Sequence, residues 1–478
     1  MEKNMLKSFF SFSIGGYLSL AIGFFTTPIV TRLISPEEYG VFSIFNLFLN
    51  IFLLISLIGL DQGFIRFYYE EKDKSQLLQK CILFSFGVYI FEVFVIYIFR
   101  NKISIYLFGN YNKEIIFIVM AYIPILIINT FANIIIRMER KGFTYSTLQA
   151  LLPLFNFVFI LFFYNKIGNS FKTLLYSLVI SNFFIMIISI ICEKEKWFYI
   201  FKMSDEKSNI SLTELLKYSY PILITVLLSW LFQSMDKIFI KKYSTLFELG
   251  LYAAGFKIIS LFRVISDGFS LFWTPLSFEK YNKDPDNTIF FKNMFNYISI
   301  LFLIFAICVL MSKNLIILIL GKNYREASKI IAPLIFIPLM ETLSNITGSG
   351  IYLKKKSWYH LIVSLVVSGT NILGNYVLVP KLGAKGAAIS TCISYILYFI
   401  IRMYLSEKLI KFDFEKKKFY ISVILLFLYT LITMFYNKLI LELLLGIFLI
   451  ILISFVYLKE IKKLYKEGKK YLKNIKMN

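Results

Sequence analysis

The chain has 478 residues, of which 58% are hydrophobic and 17% charged, and its mean hydropathy is +0.71. A soluble protein of this size cannot bury so much apolar surface, so the composition excludes the soluble classes and leaves a polytopic membrane protein. The formal net charge of +23 does not point to nucleic acid, because the lysines sit in short stretches between apolar runs, where they act as orientation signals and headgroup contacts.

A membrane-crossing helix needs about 20 mostly apolar residues. The first six runs of that kind are predicted over 9–31, 41–65, 81–99, 115–136, 145–164 and 171–192. No small-residue cleavage pattern ends the first run, so it is expected to be an uncleaved span. A polar segment from Glu193 to Lys217 follows. Six more spans are predicted over 218–240, 249–275, 290–311, 327–352, 357–379 and 385–405, then a basic loop from Ser406 to Lys418. Two last spans, 419–436 and 439–458, precede a lysine-rich tail. The expected fold is all-α, with an N-lobe over 1–195, a cytoplasmic linker over 196–217, a C-lobe over 218–406, and two added spans with a basic tail over 407–478.

With the N-terminus inside, the inner segments hold about 34 Lys and Arg and the outer loops about 15, which predicts both termini in the cytoplasm. Arg137–Lys141 and Lys354–Lys356 are the clearest inner clusters. No loop is long enough for a soluble catalytic domain, and no GxxxxGK[ST] phosphate loop is present. Cys81, Cys192, Cys308 and Cys392 lie at or inside apolar runs without paired spacing, so they read as core residues and support neither a disulfide framework nor a metal site. The single histidine, His360, falls at the inner edge of a span.

The two sets of six spans carry matching marks. Glu38-Tyr-Gly-Val-Phe42 aligns with Glu248-Leu-Gly-Leu-Tyr252, and Arg140-Lys141 aligns with Lys355-Lys356. At the second offset Asn156 falls on Asn371, Lys166 on Lys381 and Gly168 on Gly383. These marks predict one unit used twice as a parallel repeat, an arrangement that usually encloses a central site and rocks about it.

The stretch Pro28, Thr31-Arg32-Leu33 and Ser35-Pro36-Glu37-Glu38-Tyr39-Gly40 resembles the first outer loop of the Wzx-type oligosaccharide flippases. That family belongs to the superfamily that also holds the MATE drug exporters and the lipid II flippases. Gly250-Leu-Tyr252, Lys257 and Trp273-Thr-Pro275 extend the resemblance into the eighth span. It implies a MATE-like V of two six-helix lobes and alternating access. The implied substrate is an undecaprenyl-pyrophosphate-linked oligosaccharide, moved from the inner to the outer leaflet for cell-surface polysaccharide. The implied partners are that glycan, membrane lipid and a polysaccharide polymerase. No cofactor is expected beyond coupling to a Na+ or H+ gradient or the membrane potential.

Charges inside the membrane give a separate route to the site, since each is costly and normally faces a bundle interior or a wet cavity. Lys257 lies about 15 Å into its span and is the first choice for the pyrophosphate. Its structural alternative is an ion pair with Asp236. Arg263 and Asp267 are four residues apart and are expected to pair locally, while Arg263 also offers a fork to phosphate. Lys237, Arg66 and Arg32 complete the candidate cations, with interface, anchor and turn roles as their alternatives. Glu92, Asp236, Glu341 and Asp267 are the candidates for ion coupling, because a buried carboxylate changes protonation with its surroundings. Pro333 and Pro338 in the tenth span are the hinge candidates. The rival functions are a cation-coupled multidrug exporter and a membrane-embedded polysaccharide polymerase or acyltransferase. Acidic residues dominating the site would favour the exporter, whereas spans seven and eight carry mixed charge.

Overall fold

In the computed structural model the described residues are 2–108, 112–199, 210–285, 288–356, 358–436 and 438–475. Among them there are no strands, and fourteen helices are long and apolar enough to cross a membrane. In chain order these are α1 Glu2–Leu33, α2 Pro36–Leu57, α3 Lys74–Ile98, α4 Lys113–Met138, α5 Gly142–Ile167, α6 Phe171–Cys192 and α7 Leu212–Tyr243. They continue as α8 Leu246–Lys283, α9 Ile289–Leu318, α10 Ala327–Thr347, α11 Trp358–Leu382, α12 Ala384–Leu409, α13 Lys416–Phe435 and α14 Leu439–Val456. A last helix, α15, covers Leu458–Ile475.

The chain divides into two compact units, Met1–Ser234 and Met235–Asn478, with the boundary inside α7. The part of the expected linker over 200–209 lies outside the described residues. Its end docks onto the first unit. The Ile210 amide donates to Glu71 Oε2 at 3.1 Å, and Lys80 Nζ donates to the Ile210 carbonyl at 2.6 Å.

In the first unit α2 starts as its sequence demands. Ser35 is extended, Pro36 takes a first-turn position where no amide is needed, and Glu37 and Glu38 face the positive end of the helix dipole. The apolar run expected over 41–65 is in fact two helices. Ile58 (φ 46°) and Gly59 (φ 73°) are left-handed, so α2 stops at Leu57 and a short helix, Leu60–Phe67, follows. Hydropathy cannot register such a break. Backbone crowding requires the glycine, since a Cβ on Gly59 would lie 2.6 Å from the Ser219 carbonyl oxygen. The buried interior joins Phe45, Phe64, Ile123 and Phe131, with the Phe64 and Phe131 rings edge to face at 5.8 Å.

In the second unit α8 runs unbroken for 38 residues, about 57 Å, well past a hydrocarbon core of about 30 Å. The tenth span breaks at Ile335 into Ala327–Leu334 and Phe336–Thr347. The break lies between the two expected hinge prolines, and Pro338 has no amide to give the Leu334 carbonyl. The added helices α13 and α14 are tied to α9 by a dry polar knot. Lys313 Nζ reaches Glu442 Oε1 at 2.8 Å and the Thr433 carbonyl at 2.9 Å, and both charged side chains are 0% exposed.

The sequence repeat is matched by repeated local geometry. Arg140 (φ 56°) and Lys355 (φ 55°) are both left-handed, and so are Gly168 (φ 78°) and Gly383 (φ 57°). Glu38 Oε2 accepts the Phe171 amide at 2.6 Å, and Glu248 Oε2 accepts the Ala384 amide at 2.7 Å. In each unit the glutamate of the duplicated motif therefore satisfies the exposed amides that open the sixth helix of that copy.

Candidate functional site

The most developed polar site lies within the second unit and is centred on Asp236 of α7, which is 5% exposed. Four neutral groups from three other helices donate to its carboxylate. Asn375 Nδ2 reaches Oδ1 at 2.7 Å and Asn371 Nδ2 at 3.2 Å, both from α11. Thr391 Oγ1 of α12 reaches Oδ2 at 2.5 Å, and the Tyr252 hydroxyl of α8 donates to the same oxygen. Asn375 Oδ1 is buried without a hydrogen-bond partner. The Asn375 nitrogen also donates to Asn371, to its carbonyl at 2.9 Å and its Oδ1 at 3.0 Å, so the two amides and the carboxylate form one network. One carboxylate among neutral groups carries a single negative charge, which a single monovalent cation or proton neutralises.

Asp236 does not take Lys257 as its ion-pair partner. Lys257 is exposed on α8, and among the described residues its ammonium has no hydrogen-bond or ion-pair partner. Lys237, the neighbour of Asp236, is likewise without such a partner and lies within electrostatic reach of Lys257. The Asp236 carboxylate acts on the same Lys237 ammonium, so the two cations stand beside one negative charge.

One turn and a half further along α8 the expected local pair is replaced by a longer-range one. Arg263 binds Glu341 Oε1 of α10 at 2.9 Å, and Asp267, on the exposed surface, is not its ion-pair partner. Spacing four apart permits a pair on one helix, but α10 brings a carboxylate closer. The Tyr395 hydroxyl also points at Glu341 Oε1, at a long 3.4 Å.

The remaining candidates stand apart from these. Glu92 is buried in α3 of the first unit, where Oε2 accepts Ser56 Oγ at 2.5 Å and Oε1 has no partner. Arg66 pairs with Glu70 one turn on and is about half exposed. Arg32 closes the last turn of α1 with its side chain exposed. Cys81 and Cys392 are buried, whereas Cys192 and Cys308 are exposed, so only the first two are core residues. Sequence reasoning did not single out Asn375 or Thr391, and it named Asn371 and Tyr252 only as marks of the repeat and the resemblance, not as site residues. Two asparagines four apart inside an apolar span were the available signal, since they share a helix face that lipid does not solvate.

Comparison with known proteins follows the same lines. The lipid II flippase MurJ, in an inward closed conformation, is similar over 94% of this chain and 99% of its own, with a TM-score of 0.68 at 18% identity. An inward-facing multidrug resistance MATE family transporter is similar over 82% of this chain and 94% of its own, with a TM-score of 0.57 at 15% identity. These likenesses establish the MATE-like, all-α polytopic fold. The uncharacterized membrane protein MJ1068 of Methanocaldococcus jannaschii is 24% identical over 452 residues, covering 88% of this chain and 87% of that protein. The sequence model of the family described as polysaccharide biosynthesis protein matches residues 29–329, well over half of the chain, and the protein belongs to that family.

Proposed function

We propose that the protein is a flippase that carries an undecaprenyl-pyrophosphate-linked oligosaccharide from the inner to the outer leaflet of the bacterial cytoplasmic membrane, by alternating access. Both termini lie in the cytoplasm, and a polysaccharide polymerase is the candidate partner on the outer side. The observation that carries the reading is the ammonium pair Lys237 and Lys257, neither with a hydrogen-bond or ion-pair partner among the described residues, beside a carboxylate already satisfied by neutral donors. Those cations are available to a pyrophosphate, which needs positive charge to leave the headgroup region. Arg263 adds a guanidinium fork once Glu341 lets go of it. Asp236, with Asn371, Asn375 and Thr391, takes the coupling cation, Na+ or H+, so that cargo and ion occupy neighbouring positions on α7 and α8.

The experiment is depletion of the protein in its own cell, followed by a probe that reaches only outer-face lipid-linked glycan. Accumulation of complete repeat units on the inner face, rescued by wild type and not by Lys257→Ala, is the expected result. Normal outer-face delivery on depletion would overturn the reading and leave the multidrug exporter to be tested by efflux.

A further inference from the structure

Arg402 of α12 is 2% exposed, yet among the described residues no carboxylate lies within ion-pair distance of it. Its Nη1 donates to the Tyr398 hydroxyl at 2.5 Å and its Nη2 to the Tyr352 hydroxyl at 2.8 Å, and the guanidinium lies 5.4 Å from each ring centre. Phenols supply oxygen and a π-face but no charge. Nε is buried without a partner, and so is Nε2 of His360, whose ring packs on Tyr352 at 4.6 Å. Glu341 feels the field of Arg402 but is committed to Arg263. A guanidinium remains charged at any working pH, so a buried one without an anion is an incomplete arrangement.

The surroundings indicate what completes it. Tyr352 is 47% exposed, so a single side chain separates the guanidinium from the surface. Lys354, Lys355 and Lys356 follow directly and are exposed, and Trp358, 56% exposed, stands beside them as interfacial aromatics do. Arg402 lies about 10 Å before the end of α12, on the side of this basic loop. Gly348 faces the same guanidinium, and a Cβ there would lie 2.5 Å from Nε. The Gly348 backbone therefore packs directly against Nε, with no room for a larger residue.

We propose that Arg402, gated by Tyr352 and flanked by His360, is a second anion site at headgroup level that takes a phosphate group. Phosphate presents several acceptor oxygens, enough to satisfy Nε and one Nη of the fork while Tyr398 keeps the other. A lipid headgroup and free inorganic phosphate share this chemistry. The site is separate from Lys237, Lys257 and Arg263 and does not depend on the flippase reading.

The test uses the full-length protein in phosphatidylcholine nanodiscs, in a Lys237→Ala, Lys257→Ala, Arg263→Gln background that removes the other proposed phosphate ligands of α7 and α8. Thermal unfolding is followed while titrating inorganic phosphate or dihexanoyl phosphatidic acid, with sodium chloride as the control. Stabilisation by both assigns the site to the phosphate group itself; stabilisation by the lipid alone assigns it to a headgroup. Either result stands only if Arg402→Gln weakens binding by at least about tenfold, as loss of charge-assisted bonds requires. No stabilisation by either ligand, or equal stabilisation of the Arg402→Gln protein, overturns the proposal. Should Arg402→Gln fail to fold, Tyr352→Phe decides. It frees Nη2, so tighter phosphate binding is expected and unchanged affinity refutes the site.

Discussion

Replacing Glu442 by Gln separates a buried ion pair from ordinary packing. Lys313 and Glu442 are each 0% exposed and 2.8 Å apart, Asn314 Nδ2 also donates to the carboxylate, and the Tyr429 hydroxyl donates to the Glu442 backbone carbonyl. At that separation and an effective dielectric of about 20, the attraction is roughly 6 kcal/mol, most of it offset by taking both charges out of water. Removing only the negative charge leaves a buried ammonium with neutral acceptors alone, the Thr433 carbonyl and the glutamine amide oxygen, at an expected cost of about 3–5 kcal/mol. The double variant Lys313→Met with Glu442→Leu strands no charge and is expected to fall within about 1 kcal/mol of wild type. The measurement is reversible denaturant unfolding of the full-length protein in mixed micelles, for Glu442→Gln and for the double-mutant cycle of Lys313→Met and Glu442→Leu. If Glu442→Gln costs less than about 1 kcal/mol, or if the two single losses simply add in the double variant, the pair does not act as a coupled unit and the reasoning fails.

Three further outcomes are expected. Gly383→Ala is expected to lower folded yield far more than Gly168→Ala: both glycines have positive φ, but a Cβ at 383 would lie 1.7 Å from Glu248 Oε2, whereas nothing lies within 4 Å at 168. Equal losses would show that the helix-opening bond of Glu248 is dispensable. Glu341→Gln releases Arg263, so binding of a short-chain pyrophosphate lipid is expected to tighten several-fold, measured by fluorescence titration; weaker binding would make Glu341 part of the cargo site. At the far end of the first unit, burial raises the Glu139 carboxyl pKa, but bonds from Lys196 and Tyr68 outweigh it and hold the group below its ordinary value of 4.5. A lowered folded-state pKa stabilises the protein above the unfolded value, and that contribution is lost as pH falls through the folded one. Melting temperature is therefore expected to drop below about pH 4.5 with a slope that Glu139→Gln reduces; an unchanged slope would assign acid sensitivity elsewhere.

The architecture was largely legible because lipid imposes a length and a polarity on every crossing segment. Fourteen runs gave fourteen spanning helices, and the steady offsets reappeared as paired left-handed residues and paired glutamate caps. The run over 41–65 was misjudged because Ile58, a β-branched residue, takes a left-handed turn that no composition signal announces. The site was legible only in part. Intramembrane charges pointed to Lys257, Arg263 and Asp236, but not to which partner each one takes. Arg263 skips its neighbour four residues away for a carboxylate on α10, and Asp236 is held by amides and hydroxyls, side chains that a search for charges passes over. Arg402 was missed because it lies near the end of a span, where a basic residue reads as an orientation mark.

Arg140 and Lys355 bear on biosynthesis as well as on folding. A left-handed residue after a helix is most easily glycine, yet both copies place a long basic side chain there. In each copy one position both turns the backbone and adds positive charge to its loop, the kind of charge that the positive-inside bias reads. Each half of the chain thus carries its own topological instruction, built into a turn rather than added beside it. A glycine at either position would relax the backbone while erasing part of that instruction, so the easier turn would be paid for in misinserted protein.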